Sequence, residues 1–228
     1  MGMPRRGLGA SADNPPMRID FISDVVCPWC AIGLYSLEAA AARIPGLALE
    51  LHFHPFELNP GMGPEGQDIE EHLAQKYGAS PAQLAGSRQA IRERGAALGF
   101  TFSMEARSRI YNTRDAHRLL HWADEIGGGV QRTLKLALLK AYFTDGRNVS
   151  DPAVLLELAT AAGLPEAEAR ELLASDRYAA EVQAAERQVQ AQGISSVPAI
   201  IVNERHLIQG GQPVDVFEKA LRQIMAEA

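Results

Sequence analysis

Cysteine is scarce in this sequence, with two in 228 residues, Cys27 and Cys30. A disulfide framework needs more of them, and an all-cysteine zinc site would need two others. A basic block is also missing: 28 acidic side chains outnumber 22 basic ones, for a net charge of −6. Proteins that neutralise phosphate backbones or lie on anionic lipid carry a basic patch, so neither nucleic acid nor a membrane surface is expected as a partner. Nowhere do about eighteen apolar residues run uninterrupted, so no segment reads as a membrane span. The opening residues, MGMPRRGLGASADNPP, hold two arginines but lack the apolar stretch of about seven to fifteen residues that makes a signal peptide. These absences predict a cytoplasmic protein, with residues 1–16 as a disordered leader or tag.

What is present is a globular composition, 46% apolar and 22% charged, in a chain long enough for one large domain or a domain with an insertion. Met17–Ser23 alternates and is rich in β-formers, which predicts a strand. The cysteine pair follows at once. From Pro28 to about Arg43, Ile32, Leu34, Leu37, Ala40 and Ala41 give a helical apolar face, stopped by Ile44-Pro45-Gly46. Leu47–Phe53 then places Leu47, Leu49, Leu51 and Phe53 on one side of a second strand, closing a βαβ unit.

After the loop Asn59–Gly66 the character changes. Between Asp68 and Gln192 no strand is evident and helix signals recur: Ser80-Pro81 to Leu98, Asn112-Thr113 to Ile126, Val130–Phe143, a helix capped by Ser150, a short one after Leu164-Pro165, and Asp176–Gln192. Strand character returns at Pro198–Asn203 and Arg205–Gln209 around a tight turn at Asn203-Glu204. A final amphipathic helix uses Val216, Phe217, Ala220, Leu221, Ile224 and Met225. The order βαβ, helices, ββα predicts an α/β layer in two parts, 17–63 and 193–228, with 64–192 as an inserted helical domain.

The cysteines sit where this pattern turns from strand to helix. With Pro28 at the first helical position, Cys27 is the expected N-cap, its sulfur facing the N–H groups of Trp29 and Cys30 and the positive end of the helix dipole. That setting favours the thiolate and makes Cys27 an exposed attacking sulfur, with Cys30, one turn in, as the shielded resolving thiol. Two unrelated buried thiols, or half of a metal site, are the other readings of the pair.

The run Ile19-Asp20-Phe21-Ile22-Ser23-Asp24-Val25-Val26-Cys27-Pro28-Trp29-Cys30 resembles the opening of FrnE-type members of the DsbA family, thioredoxin-fold oxidoreductases with a helical insertion. Asn112-Thr113 with Ala116-His117, Ala141-Tyr142-Phe143 with Gly146, Ser150-Asp151, and Gly193-Ile194-Ser195-Ser196-Val197-Pro198 extend the likeness over nearly all of 17–226. The resemblance implies protein thiol–disulfide exchange or isomerisation without a bound cofactor, with protein thiols and disulfides as substrates and glutathione or another small thiol as a further partner. It implies that Pro198 is a cis-proline facing the cysteines and that the backbone of Val197 pairs with a substrate strand. Pro28 and Trp29 complete the expected substrate contacts. Trp29 stands where DsbA itself has a histidine, a departure that bears on the redox potential. A homodimer is one option for the assembly.

Two alternatives share the architecture: a glutathione-dependent isomerase or transferase of the kappa-class type, and a redox-sensing binding module without turnover. The former typically has serine at the nucleophile position, which the Cys27–Cys30 pair argues against. Asp24, three residues before Cys27, reads as a solvated loop carboxylate or a proton acceptor, and His117 as a residue lining the cleft. His52 with His54, and His117 with His121, are spaced to share a face, but neither pair has a third ligand for a metal. Asn148-Val149-Ser150 fits a glycosylation sequon and is better read as a helix start.

Overall fold

The computed structural model describes residues 15–227, so the leader expected over 1–16 lies almost wholly outside the described residues. Strand β1 (Met17–Ser23) and helix α1 (Pro28–Ala42) fall where the alternation and the proline put them. Strand β2 (Leu49–Pro55) starts later than expected, because Ile44–Leu47 closes a turn through Gly46, at φ +77°. β1 and β2 run parallel, from Met17 opposite Leu49 to Ser23 opposite Pro55.

Helices occupy most of the chain between the loop after β2 and residue 191: α2 (Ile69–Tyr77), α3 (Pro81–Ala97), α4 (Arg114–Ile126), α5 (Val130–Phe143), α6 (Pro152–Ala161), α7 (Glu166–Leu173) and α8 (Ala179–Ala191). Ser80 and Gln83 form a reciprocal capping box at the start of α3. Several expectations need correction. A two-residue antiparallel pairing, β3 (Gln67–Asp68) with β4 (Arg109–Ile110), interrupts the helices and is too short to leave a periodic signal. Asp68 then caps α2, accepting the Glu70 and Glu71 N–H groups at 3.0 Å; this helix gave no sequence signal because His72 is its only buried residue. Asp151, not Ser150, caps α6, while the Ser150 hydroxyl donates to the Pro64 carbonyl. α8 begins only after Tyr178, whose left-handed backbone, φ +65°, cannot continue a helix.

The chain returns to the sheet with β5 (Ala199–Val202) and β6 (His206–Gln209), joined through Asn203 and Glu204 at φ +50° and +57°, the backbone a tight hairpin requires. β5 is antiparallel to both β1 and β6, giving the sheet order β2-β1-β5-β6. Helix α9 (Val214–Ala226) closes the fold, burying Phe217, Leu221 and Ile224, while Val216, expected on its apolar face, is exposed. The architecture is a thioredoxin fold of the α/β class, a mixed sheet with nine helices among the described residues.

The strand period sorts the core. Ile19 and Phe21 belong to the main core, which takes in buried residues of α1 and α9, while Ile22 and Ala199 face the other way and meet Val189 of α8 and Ile194. Buried residues of α4, α5 and α6 continue the main core without a break. The C-terminal end of β1, the start of α1 and the start of β5 thus converge at one end of the two central strands of the sheet.

Candidate functional site

Cys27 is the N-cap of α1, with φ −90° and ψ 113°, and its sulfur accepts the Cys30 N–H at 3.3 Å. The Trp29 N–H makes no such bond, so the expected pair of donors is reduced to one. Nor is Cys27 exposed as the sequence suggested: 4% of its surface is open, and Cys30 has none. The segment before β5 closes over it, placing the Val197 carbonyl 3.9 Å from the Cys27 sulfur. Both thiols are free. Burial pushes the Cys30 thiol well above its ordinary range, and the hydrogen bond and charge of Cys27 push it further, against an opposing pull from Lys135. Cys30 therefore keeps its proton at rest.

The Val197–Pro198 bond is cis, and Pro198 is buried with Val197 half-buried beside it. The approach depends on glycine. A Cβ on Gly33 would lie 3.2 Å from the Pro198 ring and 3.3 Å from the Gly211 Cα, and a Cβ on Gly211 would lie 2.6 Å from the Trp29 carbonyl oxygen. Gly211→Ala therefore has to push the loop after β6 away from the cysteine motif, an overpacking that costs about 1–3 kcal/mol. A lowered Tm together with slower alkylation or disulfide turnover at Cys27 is the expected result; an unchanged Tm would show that the loop yields freely.

Trp29, half-buried between the cysteines, lies under the guanidinium of Arg94, 5.4 Å from its ring centre. Arg94 also donates to the Gly211 carbonyl at 2.7 Å. One side chain of α3 thus ties the helical segment to the cysteine motif and to the loop behind it. No sequence pattern singles out Arg94, since its partners are 65 residues before it and 117 after it.

Asp24 and His117 do not line an open cleft. Both are buried, at 0% and 2% exposure, and they hold each other, His117 Nε2 to Asp24 Oδ1 at 3.2 Å. The Val25 N–H donates to Oδ1 and the Leu58 N–H to Oδ2, at 2.7 and 2.8 Å. Burial alone would raise the Asp24 carboxyl; the hydrogen bond and charge of His117, with Leu58 and Thr113, outweigh it and hold the group below its ordinary value. The reading of Asp24 as a solvated carboxylate fails because the helix carrying His117 packs over the strand-to-helix turn. Asp24 remains tied to the cysteines, since its carbonyl accepts the Cys27 N–H at 3.4 Å.

Of the other five histidines, four lie beside carboxylates, His54 with Asp20 at 2.8 Å, His52 with Glu50 and Asp124 at 3.1 and 3.2 Å, and His121 and His206 near Glu125 and Glu227 at 3.8 Å, while His72 meets the Gln67 amide oxygen at 2.8 Å. Among the described residues no cluster of three or more His, Cys, Asp or Glu is placed to hold a metal. Lys135 was missed by sequence reasoning, although a signal exists. Gln131 and Lys135 occupy the helical face that also carries Leu138 and Tyr142, so two polar side chains stand on a buried stripe.

Comparison with known proteins identifies the family and supports the fold. The model of the DSBA-like thioredoxin domain matches residues 18–222. In structure the chain is similar to a probable DsbA oxidoreductase from Streptomyces coelicolor, with a TM-score of 0.85 and 36% identity over 93% of this chain and 91% of that one. It also resembles the cytosolic disulfide reductase DsbM from Pseudomonas aeruginosa, solved with GSH, at a TM-score of 0.61 and 21% identity over 92% and 99% of the two chains. The uncharacterized protein YwbO of Bacillus subtilis (strain 168) is 27% identical over 206 residues, 90% of this chain and 96% of that protein. With a family model spanning both parts of the sheet and the helices between them, and with the cysteine pair at the strand-to-helix turn, this chain belongs to the DSBA-like thioredoxin domain family of oxidoreductases.

Proposed function

We propose that the chain is a protein thiol–disulfide oxidoreductase or isomerase of the cytoplasm, working through Cys27 and Cys30. The observation that carries this reading is the asymmetry of the pair. One sulfur caps a helix, accepts a backbone N–H at 3.3 Å and faces the Val197 carbonyl; the other is wholly buried and holds its proton. As a thiolate, Cys27 attacks one sulfur of a substrate disulfide, forming a mixed disulfide and expelling the second substrate sulfur as a thiolate. Cys30 then gives up its proton and attacks Cys27, closing the intramolecular disulfide and releasing the reduced substrate. The reverse sequence oxidises a dithiol. Val197 and Pro198 would hold an extended substrate segment beside the mixed disulfide by strand addition, with Pro28 and Trp29 as the neighbouring surface.

Glutathione or another small thiol is the proposed co-substrate that resets the pair; the P. aeruginosa relative was solved with GSH. The cytoplasmic reading is supported by the P. aeruginosa relative, a cytosolic disulfide reductase. A catalytic disulfide that forms and breaks suits a reducing compartment better than a structural one.

Turnover of insulin disulfides and of scrambled ribonuclease, with glutathione as the thiol, tests the reading. Cys27→Ser should lower both rates at least about a thousandfold, since a hydroxyl is a far weaker nucleophile than a thiolate at neutral pH. Full turnover by Cys27→Ser would overturn it.

A further inference from the structure

Lys135 lies on α5 with 1% of its surface open, and its ammonium nitrogen has no hydrogen-bond partner. A leucine or methionine would fill this place without the desolvation that a buried amine suffers. Its nitrogen stands 5.8 Å from the centre of the Phe53 ring, and the ionisable groups in electrostatic reach are Cys30, Asp24 and Cys27. Asp24 is already committed to His117, Val25 and Leu58, so it is not a dedicated partner for this amine. α5 is held in register: one turn before Lys135, the Gln131 amide accepts the Phe53 N–H and donates to the Phe53 carbonyl, both at 2.9 Å. The amine is thereby fixed in the low-dielectric interior, within electrostatic reach of both sulfurs, where a charge pair is worth more than in water.

We propose that Lys135 is the buried base that takes up a proton when the Cys27–Cys30 disulfide is reduced, so that the thiolate of the reduced pair is balanced by an ammonium. The inference rests on the exchange reading above and deepens it. When two molecules of a small thiol reduce the pair, the Cys27–Cys30 bond breaks and the two thiol sulfurs join. Two electrons pass to the cysteines, and the two thiols release two protons. One proton stays on Cys30 and the other goes to the Lys135 amine, leaving Cys27 as the thiolate; oxidation returns both. Charge in the interior is therefore balanced in both states: a neutral amine beside a disulfide, or an ammonium beside a thiolate. The electrostatics agree in direction. Burial holds the Lys135 amine below its ordinary value, and Cys30, then Asp24 and Cys27, pull it back up. Other ionisable groups around the pair are Asp24 from the strand-to-helix turn, His117 from α4, which acts on Asp24 directly, and Tyr77 at the end of α2 and Arg107 before β4, both within electrostatic reach of Cys27.

The test is the exchange equilibrium of the pair with glutathione redox buffers from pH 6 to 9, in wild type, Lys135→Met and Lys135→Gln. An ammonium that stabilises the thiolate favours the reduced pair. Both substitutions should therefore shift the equilibrium toward the disulfide at least tenfold at pH 7, about 30 mV for a two-electron couple. The wild-type equilibrium should be nearly flat from about pH 6 to 8, since both protons released by glutathione are taken up, whereas in both variants one of them goes to solvent and the reduced pair should gain up to about tenfold per pH unit. In the unsubstituted protein with ¹³C-labelled lysine, the Lys135 Cε signal should move to its charged position on reduction while Lys76, Lys140 and Lys219 stay fixed. A pair that cycles normally, with an equilibrium within twofold of wild type in both variants and a Lys135 signal indifferent to redox state, overturns the assignment alone. A wild-type pair that never exchanges with glutathione overturns the exchange reading, and this inference with it.

Discussion

A Cys30→Ser chain incubated with a disulfide-bonded protein should accumulate as a covalent adduct of the two, seen as a new band on a non-reducing gel and as the summed mass. The reason lies in where the two sulfurs sit. Once Cys27 has joined the substrate, the resolving thiol is already one helical turn away, bound to the same rigid helix start, and attack by such a neighbour benefits from effective concentrations of about 10⁵ M or more. An outside thiol has no such advantage and must reach a sulfur whose residue is only 4% exposed, beneath the Val197 carbonyl. Removing Cys30 should therefore lengthen the life of the mixed disulfide at least about a thousandfold while leaving its formation possible. The backbone N–H of residue 30, which reaches the Cys27 sulfur, survives the substitution. The double variant, with Cys27→Ser as well, should form no adduct. Steady turnover by Cys30→Ser without any trapped species would mean that the second cysteine has no resolving role.

How far the sequence anticipates this site depends on how local each signal is. The strand, the proline at the first helical position and the two cysteines are neighbours in the chain, so alternation and capping chemistry place them within a residue. The Asn203-Glu204 turn was legible for the same reason. Exposure was not: Cys27 looks open at a helix start until a segment 170 residues away folds over it. Asp24 illustrates the same failure for charge. A carboxylate in a loop beside two valines reads as solvated, and only the packing of α4 supplies the histidine that makes its burial tolerable. Lys135 stands between these cases. Its place on a buried stripe is visible in the helical period, but the groups it faces come from the other part of the chain.

The pairing of Asp24 with His117 makes a second large effect predictable, on stability. With both side chains buried, His117→Leu removes the hydrogen bond and the charge that do most to offset burial, and leaves a carboxylate with the Val25 and Leu58 N–H groups and Thr113 as its donors. Breaking a buried ionic pair by deleting one partner costs about 3–5 kcal/mol, a large fraction of the stability of a domain this size. The pH dependence gives the effect a signature that a mere cavity lacks. In the wild type the Asp24 carboxyl titrates below its ordinary value of 3.8, so its stabilisation is fully present above that value and is lost as pH falls through the lower folded one. Without His117 the strongest opposition to burial is gone and the same carboxyl should rise in the folded state, so the variant is penalised most where the group must be charged. The difference between the two chains in urea unfolding should therefore be greatest near pH 7 and shrink as pH approaches 4, where the variant can fold with Asp24 protonated. Asp24→Asn on the His117→Leu background should recover part of the loss at pH 7 and remove most of the pH dependence. An equal loss at both pH values, unrelieved by Asp24→Asn, would assign the cost to lost packing around α4 and not to a stranded charge.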